Sequence, residues 1–294
     1  MRIVTRPDFD GVVCAVIIQK MEEITEPVKW IEPGDIQSGD AEIKKGDIIA
    51  NLPFDDRCSK WFDHHISNQR ATSFPGDFKV APSAAGIVYN YYKDGLKENY
   101  DELIEETDRI DAALLSMDEV QYPEKYPYML LSMTITNRGA GDLDYWNLLV
   151  ELLGKYNIYQ ILEIPEVKKR CDKVIKENSE YKEILKKHTN INGNVSVIDL
   201  RKFSTPPSGN RFMVYSMYPT TLVSMKIRFD EHDQNRVNLS VGHNIFNKKC
   251  KVNIGQMLSQ YNGGGHFGAG GCSFPANKST LYISEMLDIL NKNQ

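Results

Sequence analysis

The sequence predicts an α/β protein of two domains, the first built on a parallel sheet and the second smaller and β-rich. Three observations carry this. Short apolar runs alternate with helical stretches over roughly the first 150 residues, the pattern of strands joined by crossover helices. A charged stretch from Pro165 to His188, without glycine or interior proline, reads as one long helix between two parts of the chain. Beyond it, runs of strand character crowd together. A length of 294 residues suits two domains. The expected boundaries are 1–164 for the first domain, 165–190 for the linking helix and 191–294 for the second domain.

Taken in order, Met1 to Thr5 is a short β-like run, followed by a polar elbow. Gly11 to Met21 is apolar at Val12, Val13, Ala15, Val16 and Ile17, as a buried crossover helix requires. GDIIANLPF (46–54) is an apolar run bounded by glycine and proline, hence a buried strand, and SKWFDHH (59–65) reads as another. APSAAGIVYNYYKDGL (81–96) reads as a helix with Ser83 as its N-cap or early-turn residue. After the long helix, VSVIDLRKF (195–203), RFMVYSMYP (211–219), TLVSMKIRF (221–229) and RVNLSVGHN (236–244) are strand-like. VNIGQMLSQY then reads as a helix, and the glycine-rich GGGHFGAGG follows.

Composition bounds the function classes. No apolar run approaches a membrane span, and MRIVTRPDFDGVV lacks a signal-peptide layout. Cys14, Cys58, Cys171, Cys250 and Cys272 are odd in number and widely spaced with no CxxC pair, as structural thiols of a cytoplasmic protein would be. The expected location is therefore cytoplasmic, with no membrane partner. Residues 195 to 294 carry eleven Lys and Arg against six Asp and Glu; with a net charge of −5 overall, the preceding 194 residues carry −10. A carboxylate-rich part beside a basic one suits a metal site and an anion-binding surface.

Three constellations carry chemistry. Asp8 and Asp10 flank Phe9 at a strand-to-turn junction, where two carboxylates one residue apart can converge on a hard cation such as Mn²⁺ or Mg²⁺. Read alone, the same residues make an ordinary acidic turn. Asp63, His64 and His65 close the strand read at 59–65; beyond a strand end the chain bends, so neighbours can share a site. One imidazole can ligate a metal while Asp63 orients it, and the other can meet a substrate phosphate. In QYNGGGHFGAGG (260–271), three glycines leave backbone N–H groups free to point at an anion, with His266 as a further donor.

FDHH, the early PDFDG and the distal GGGHFGAGG together resemble the DHH superfamily of phosphoesterases with a DHHA1-type second domain. The resemblance covers nearly the whole chain, with motifs in family order, and VGHNIFNKKCKVNIGQMLSQYNGGGH is similar to the exopolyphosphatase-related branch. It implies a parallel-sheet Rossmann-like DHH domain, a smaller mixed-sheet DHHA1 domain, and an active site in the cleft between them. It also implies one or two ions of Mn²⁺ or Mg²⁺. Asp8, Asp10 and His64 would be metal ligands, with Asp63 part of the same metal site and orienting the pair of histidines. His65 would contact the scissile phosphate and, with Asp10, carry the chemistry. A further ligand is expected in EETDRIDAALL, with Asp108 the first choice and Asp111, one helical turn on, in reserve. Gly263, Gly264, Gly265 and His266 would clamp the substrate's far phosphate or base, helped by Arg236, Lys251, Arg228, Lys248 or Lys249.

The chain departs from the family pattern twice. Val4 and Arg6 stand near the place where many members carry a His, and the bridging Asp falls at Asn51. One of two metal positions is thereby short of a carboxylate, with one ion, two weakly held ions, or recruitment of Asp55 or Asp56 as the open outcomes. The implied function is metal-assisted hydrolysis of phosphate esters in short oligonucleotides or small pAp-like nucleotides. Its alternatives are an exopolyphosphatase and a non-catalytic nucleotide- or RNA-binding protein. Tyr215, Tyr218, Phe229, Phe246 and Tyr261 are the aromatics available as a base-stacking platform, and a homodimer is left open.

Overall fold

Ile3–Thr5 (β1) is wholly buried and lies at the interior of a parallel sheet, as the adjacent apolar Ile3 and Val4 demand. The computed structural model describes residues 1–71, 73–136, 142–207 and 209–294. Among these the chain divides into two compact units, residues 1–115 with 123–172, and residues 116–122 with 173–294.

In the first unit β1 leads into α1 (Phe9–Met21), then β2 (Lys29–Trp30), α2 (Pro33–Ser38), β3 (Ile48–Ala50), β4 (Lys60–Asp63), β5 (Gly76–Phe78), α3 (Ala84–Tyr92) and α4 (Asp101–Asp111). The strands run parallel in the order β2-β1-β3-β4-β5. α1 is buried on every side from Phe9 to Ile18 and packs against α3 and α4. That explains its lack of a polar face, since a helix apolar all round belongs inside. Beyond α4, α5 (Met117–Gln121) belongs to the second unit, and α6 (Pro127–Met133), α7 (Leu143–Leu153) and α8 (Ile158–Leu162) complete the first. α9 (Pro165–His188) is the long helix the charged stretch predicts.

The second unit holds β6 (Thr189–Asn192), β7 (Val195–Asp199), α10 (Met213–Met217), β8 (Val223–Phe229), β9 (Arg236–His243), α11 (Ile254–Ser259), β10 (Gly264–Gly265), β11 (Ala269–Pro275) and α12 (Ser279–Lys292). Its six strands order as β10-β11-β9-β8-β7-β6 with only β7 and β8 parallel, so the sheet is mixed. Val223, Met225 and Ile227 pack with Val237, Leu239 and Val241 and with Ile254, Leu258, Met286 and Leu290 in one core.

One element differs in kind from expectation. Residues 211–219 are not a strand: Met213–Met217 is a helical turn with Met213, Val214, Tyr215 and Ser216 consecutively buried beside Tyr181 and Leu185. A short run buried all round has no period to distinguish strand from helix. β11 and α12 carry no expectation from sequence. β11 hides in the glycine-rich run, where Gly270 and Gly271 conceal its alternation.

Candidate metal centre

The carboxyl ends of β1, β3, β4 and β5 open into the segments that hold Asp8, Asn51, His64 and Ala81. Asp8 caps α1, its Oδ1 accepting from the Gly11 amide at 2.8 Å and from Asn51 Nδ2 at 3.0 Å. Only glycine fits at position 11, because a Cβ there would stand 2.0 Å from the Arg6 carbonyl oxygen. Asp10, in the first turn of α1, is buried; its carboxylate accepts from the Ala84 and Ala85 amides at 3.0 and 2.7 Å, at the start of α3. Ser83 caps α3, accepting from the Gly86 amide at 2.9 Å and donating to Asp108 Oδ1 at 2.5 Å. Glycine at 86 admits that carboxylate, since a Cβ would lie 2.8 Å from Asp108 Oδ1.

His64 is the centre of the arrangement. Its Nδ1 lies 3.0 Å from the Ala81 carbonyl oxygen. A carbonyl only accepts, so Nδ1 carries a proton, and in the neutral ring Nε2 presents a lone pair. That Nε2 is buried and has no hydrogen-bond partner. It faces Asp10 Oδ2 at 3.7 Å and Asp111 Oδ2 at 3.6 Å, too far for hydrogen bonds and close enough for all three to reach one ion. An imidazole nitrogen with two carboxylate oxygens fits Mn²⁺ or Mg²⁺.

Asp111 is therefore the α4 carboxylate that faces His64. Asp108 is engaged with Ser83 instead, and among the described residues it joins no group of converging donors. Asp63 is 0% exposed and its oxygens are committed. Oδ1 accepts from the His64 amide at 2.9 Å and from His65 Nδ1 at 2.8 Å, and Oδ2 accepts from Asn68 Nδ2 at 2.7 Å. It fixes the two histidines in place. Asn68 is a supporting residue that a linear reading of DHH does not reveal. Asp55 is locked to Arg57 and Asp56 is exposed; neither belongs to a converging group among the described residues.

Crowded acids shift one another. Burial pushes Asp8 up to about 6, opposed by Arg6 and the Gly11 amide. Asp10 is raised well above the usual carboxylate range by burial, then by Asp111 and Asp8. A cation among them would relieve both penalties. His65 is raised above 6.5, first by its hydrogen bond to Asp63.

In the second unit, Gly264–Gly265 pairs with Gly270–Gly271 as a small hairpin. The Gly263 amide donates to Leu258 O at 3.0 Å and the His266 amide to Ala269 O at 2.8 Å, so those two N–H groups are already used. A Cβ on Gly264 would meet nothing, and the His266 side chain is exposed. Arg236 is at the other end of β9, six residues from the Gly242 that pairs with Ala269, about 20 Å along the strand. It bonds Ser273 there. Lys251 is exposed beside α11, its amide donating to Asn293. Neither cation converges with His266 along this sheet.

Of the candidate stacking aromatics, Tyr215 and Tyr261 are buried, and Tyr218, Phe229 and Phe246 pack against the cores. Phe267, beside His266, is an exposed ring, 56% accessible and in edge-type contact with the His243 imidazole at 5.4 Å between centroids. An aromatic inside a glycine run was the sequence signal for it.

No family model and no curated protein matches the sequence. Solved structures do match. The pGpG-specific phosphodiesterase PggH of Vibrio cholerae is 28% identical, with a TM-score of 0.87 over 100% of this chain and 99% of that one. An exopolyphosphatase-related protein of Bacteroides fragilis is 12% identical, with a TM-score of 0.55 over 99% and 92%. RecJ of Thermus thermophilus, crystallised with Mn²⁺, is 13% identical with a TM-score of 0.58, over 99% of this chain and 52% of RecJ.

Proposed function

We propose, for a chain that by motif and whole-length fold takes its place in the DHH superfamily of phosphoesterases, a metal-dependent phosphodiesterase activity on short oligonucleotides or linear dinucleotides of the pGpG kind. The observation that carries the reading is the buried Nε2 of His64, which has no hydrogen-bond partner and faces Asp10 and Asp111 at 3.7 and 3.6 Å. A buried lone pair without a partner is costly unless something occupies the space in front of it. His64, Asp10 and Asp111 would hold Mn²⁺ or Mg²⁺, with Asp8 at the margin. The ion supplies Lewis-acid polarisation of a phosphoryl oxygen and a water of lowered pKa.

The protein's own residues do the rest. Ala81 fixes the His64 tautomer through Nδ1. Asp63 holds His65 by Nδ1 and raises its pKa above the usual imidazole value, which favours the charged form, whose Nε2–H would donate to a phosphoryl oxygen as negative charge grows there. Asn68 stops Asp63 from turning away. The 28% identical structure that matches over the full length is named for pGpG, which favours a nucleotide over polyphosphate, and the exposed Phe267 suits a base.

The test compares pGpG, pAp and polyphosphate at equal phosphate concentration with Mn²⁺ present. Release of mononucleotide from the dinucleotide, with polyphosphate slower by at least tenfold, is the expected result. Faster release of phosphate from polyphosphate would replace the dinucleotide reading, and binding without turnover would replace the enzymatic one.

A further inference from the structure

We infer that the centre binds a single divalent cation, and that the Arg6 guanidinium supplies the second positive charge at its Asp8 edge, as a phosphate-binding residue. The inference rests on the phosphoesterase reading above and deepens it.

Consider first where Asp8 spends its lone pairs. Oδ1 accepts from the Gly11 amide and from Asn51 Nδ2, and Oδ2 lies 3.3 Å from Arg6 Nε. Among the described residues Asp8 belongs to no group of three converging donors. Two such groups exist. In the Asp63–His64–His65 group, Asp63 is bonded to the His65 ring and His64 Nδ1 to Ala81, whereas in Asp10–His64–Asp111 the buried His64 Nε2 that faces both carboxylates has no hydrogen-bond partner.

Asn51 explains why a second cation is unnecessary. It is 1% exposed and sits at φ 57°, a left-handed conformation that Asn tolerates better than most residues. Its amide meets an acceptor-only carboxylate at 3.0 Å, so Nδ2 faces Asp8 and Oδ1 points away. A carboxylate at position 51 would set two negative oxygens at that distance, which needs a cation or a proton between them. Here the amide N–H fills that place. Asn51 Oδ1 is left buried with no protein partner, a neutral acceptor for a water or a substrate hydroxyl.

Arg6 is the other half of the substitution. Its Nε bonds Glu32 Oε2 at 3.4 Å and pairs with Asp8 Oδ2, anchoring the base of the guanidinium. Both contacts run through Nε, so the Nη fork is left to a phosphate, for which its planar geometry is suited. The charge added at Arg6 and the charge removed at Asn51 act in one direction at one edge of the site.

The experiment loads full-length protein with Mn²⁺, removes excess, and measures bound metal by atomic emission and electron paramagnetic resonance. Inorganic phosphate is then titrated by calorimetry into the loaded wild type, Arg6→Ala and Arg6→Lys. One equivalent of Mn²⁺ with the hyperfine pattern of an isolated ion is expected. Phosphate affinity should fall at least tenfold in Arg6→Ala, with partial retention in Arg6→Lys and the Mn²⁺ equivalent unchanged in both. Asn51→Asp should take up additional Mn²⁺ and show exchange coupling. Two coupled ions in the wild type, or phosphate affinity indifferent to Arg6, would overturn the inference while leaving the phosphodiesterase reading standing if dinucleotide is still cleaved. Wild-type protein that neither retains Mn²⁺ nor cleaves dinucleotide would overturn both.

Discussion

The carboxyl edge of the parallel sheet and the glycine-rich hairpin of the mixed sheet hold their candidate groups in opposite ways. At the first, Asp63 is sealed from solvent with its oxygens assigned, and Asp10 hangs on two helix-start amides. Little there can move without breaking several bonds, and preorganisation of this sort is what electrostatic catalysis requires. At the second, His266 and Phe267 are exposed, two hairpin amides bond within the unit, and the nearest named cations sit elsewhere on the sheet or in turns. A surface of that kind can adapt to a ligand and choose among ligands. The difference teaches that chemistry and selection are separable here, and substitutions should separate them.

The largest effect belongs to the rigid region. His65→Ala should lower kcat by about 10²–10⁴-fold, the range for a positioned proton donor, while the far-ultraviolet circular dichroism stays unchanged; wild-type turnover would remove His65 from the mechanism. Asp63→Asn should cost about 10–100-fold through the histidines it orients. It should also return the His65 pKa toward 6.5, read by the imidazole proton resonances in NMR. A variant with lowered activity and an unmoved His65 titration would show that Asp63 does something other than hold that ring.

On the adaptable side, Phe267→Ala should raise KM for a dinucleotide by the equivalent of about 1–3 kcal/mol of base stacking and leave polyphosphate handling unchanged. Equal losses on both substrates would deny that the ring reads a base. A gentler test uses pH. Asp8 is held at about 6 against an ordinary 3.8, and Asp10 is raised too, so the folded metal-free protein binds more protons than the unfolded chain between those values. Their contribution to stability therefore falls as pH rises from 3.8 toward 6. Mn²⁺ needs the ionised acids, so the Tm gain on adding it should grow from about pH 5 to about pH 7. A gain independent of pH would place the ion away from these acids. The smallest effect is expected for Ser83→Ala, which loses the α3 cap at about 1 kcal/mol in urea unfolding.

By itself the sequence determined the alternation of strands and helices, the long α9, Ser83 as the cap of α3, and the residues that enter the strand ends. Those features are local: apolar runs, caps and strand-end polar residues depend on neighbours a few positions away, so a linear reading recovers them. What the tertiary structure decided is which polar atoms meet. Asp108 and Asp111 are one helical turn apart and chemically alike in sequence, and only packing of α4 beside Ser83 bonds the former and turns the latter toward His64. The same holds for Asn51, whose orphaned oxygen and bond to Asp8 depend on β3 and β1 lying side by side. It holds too for residues 211–219, where burial on all sides erased the period that would have marked a helix. Hydrogen-bond satisfaction is a property of partners brought from 25 to 75 positions away, and no local pattern encodes it.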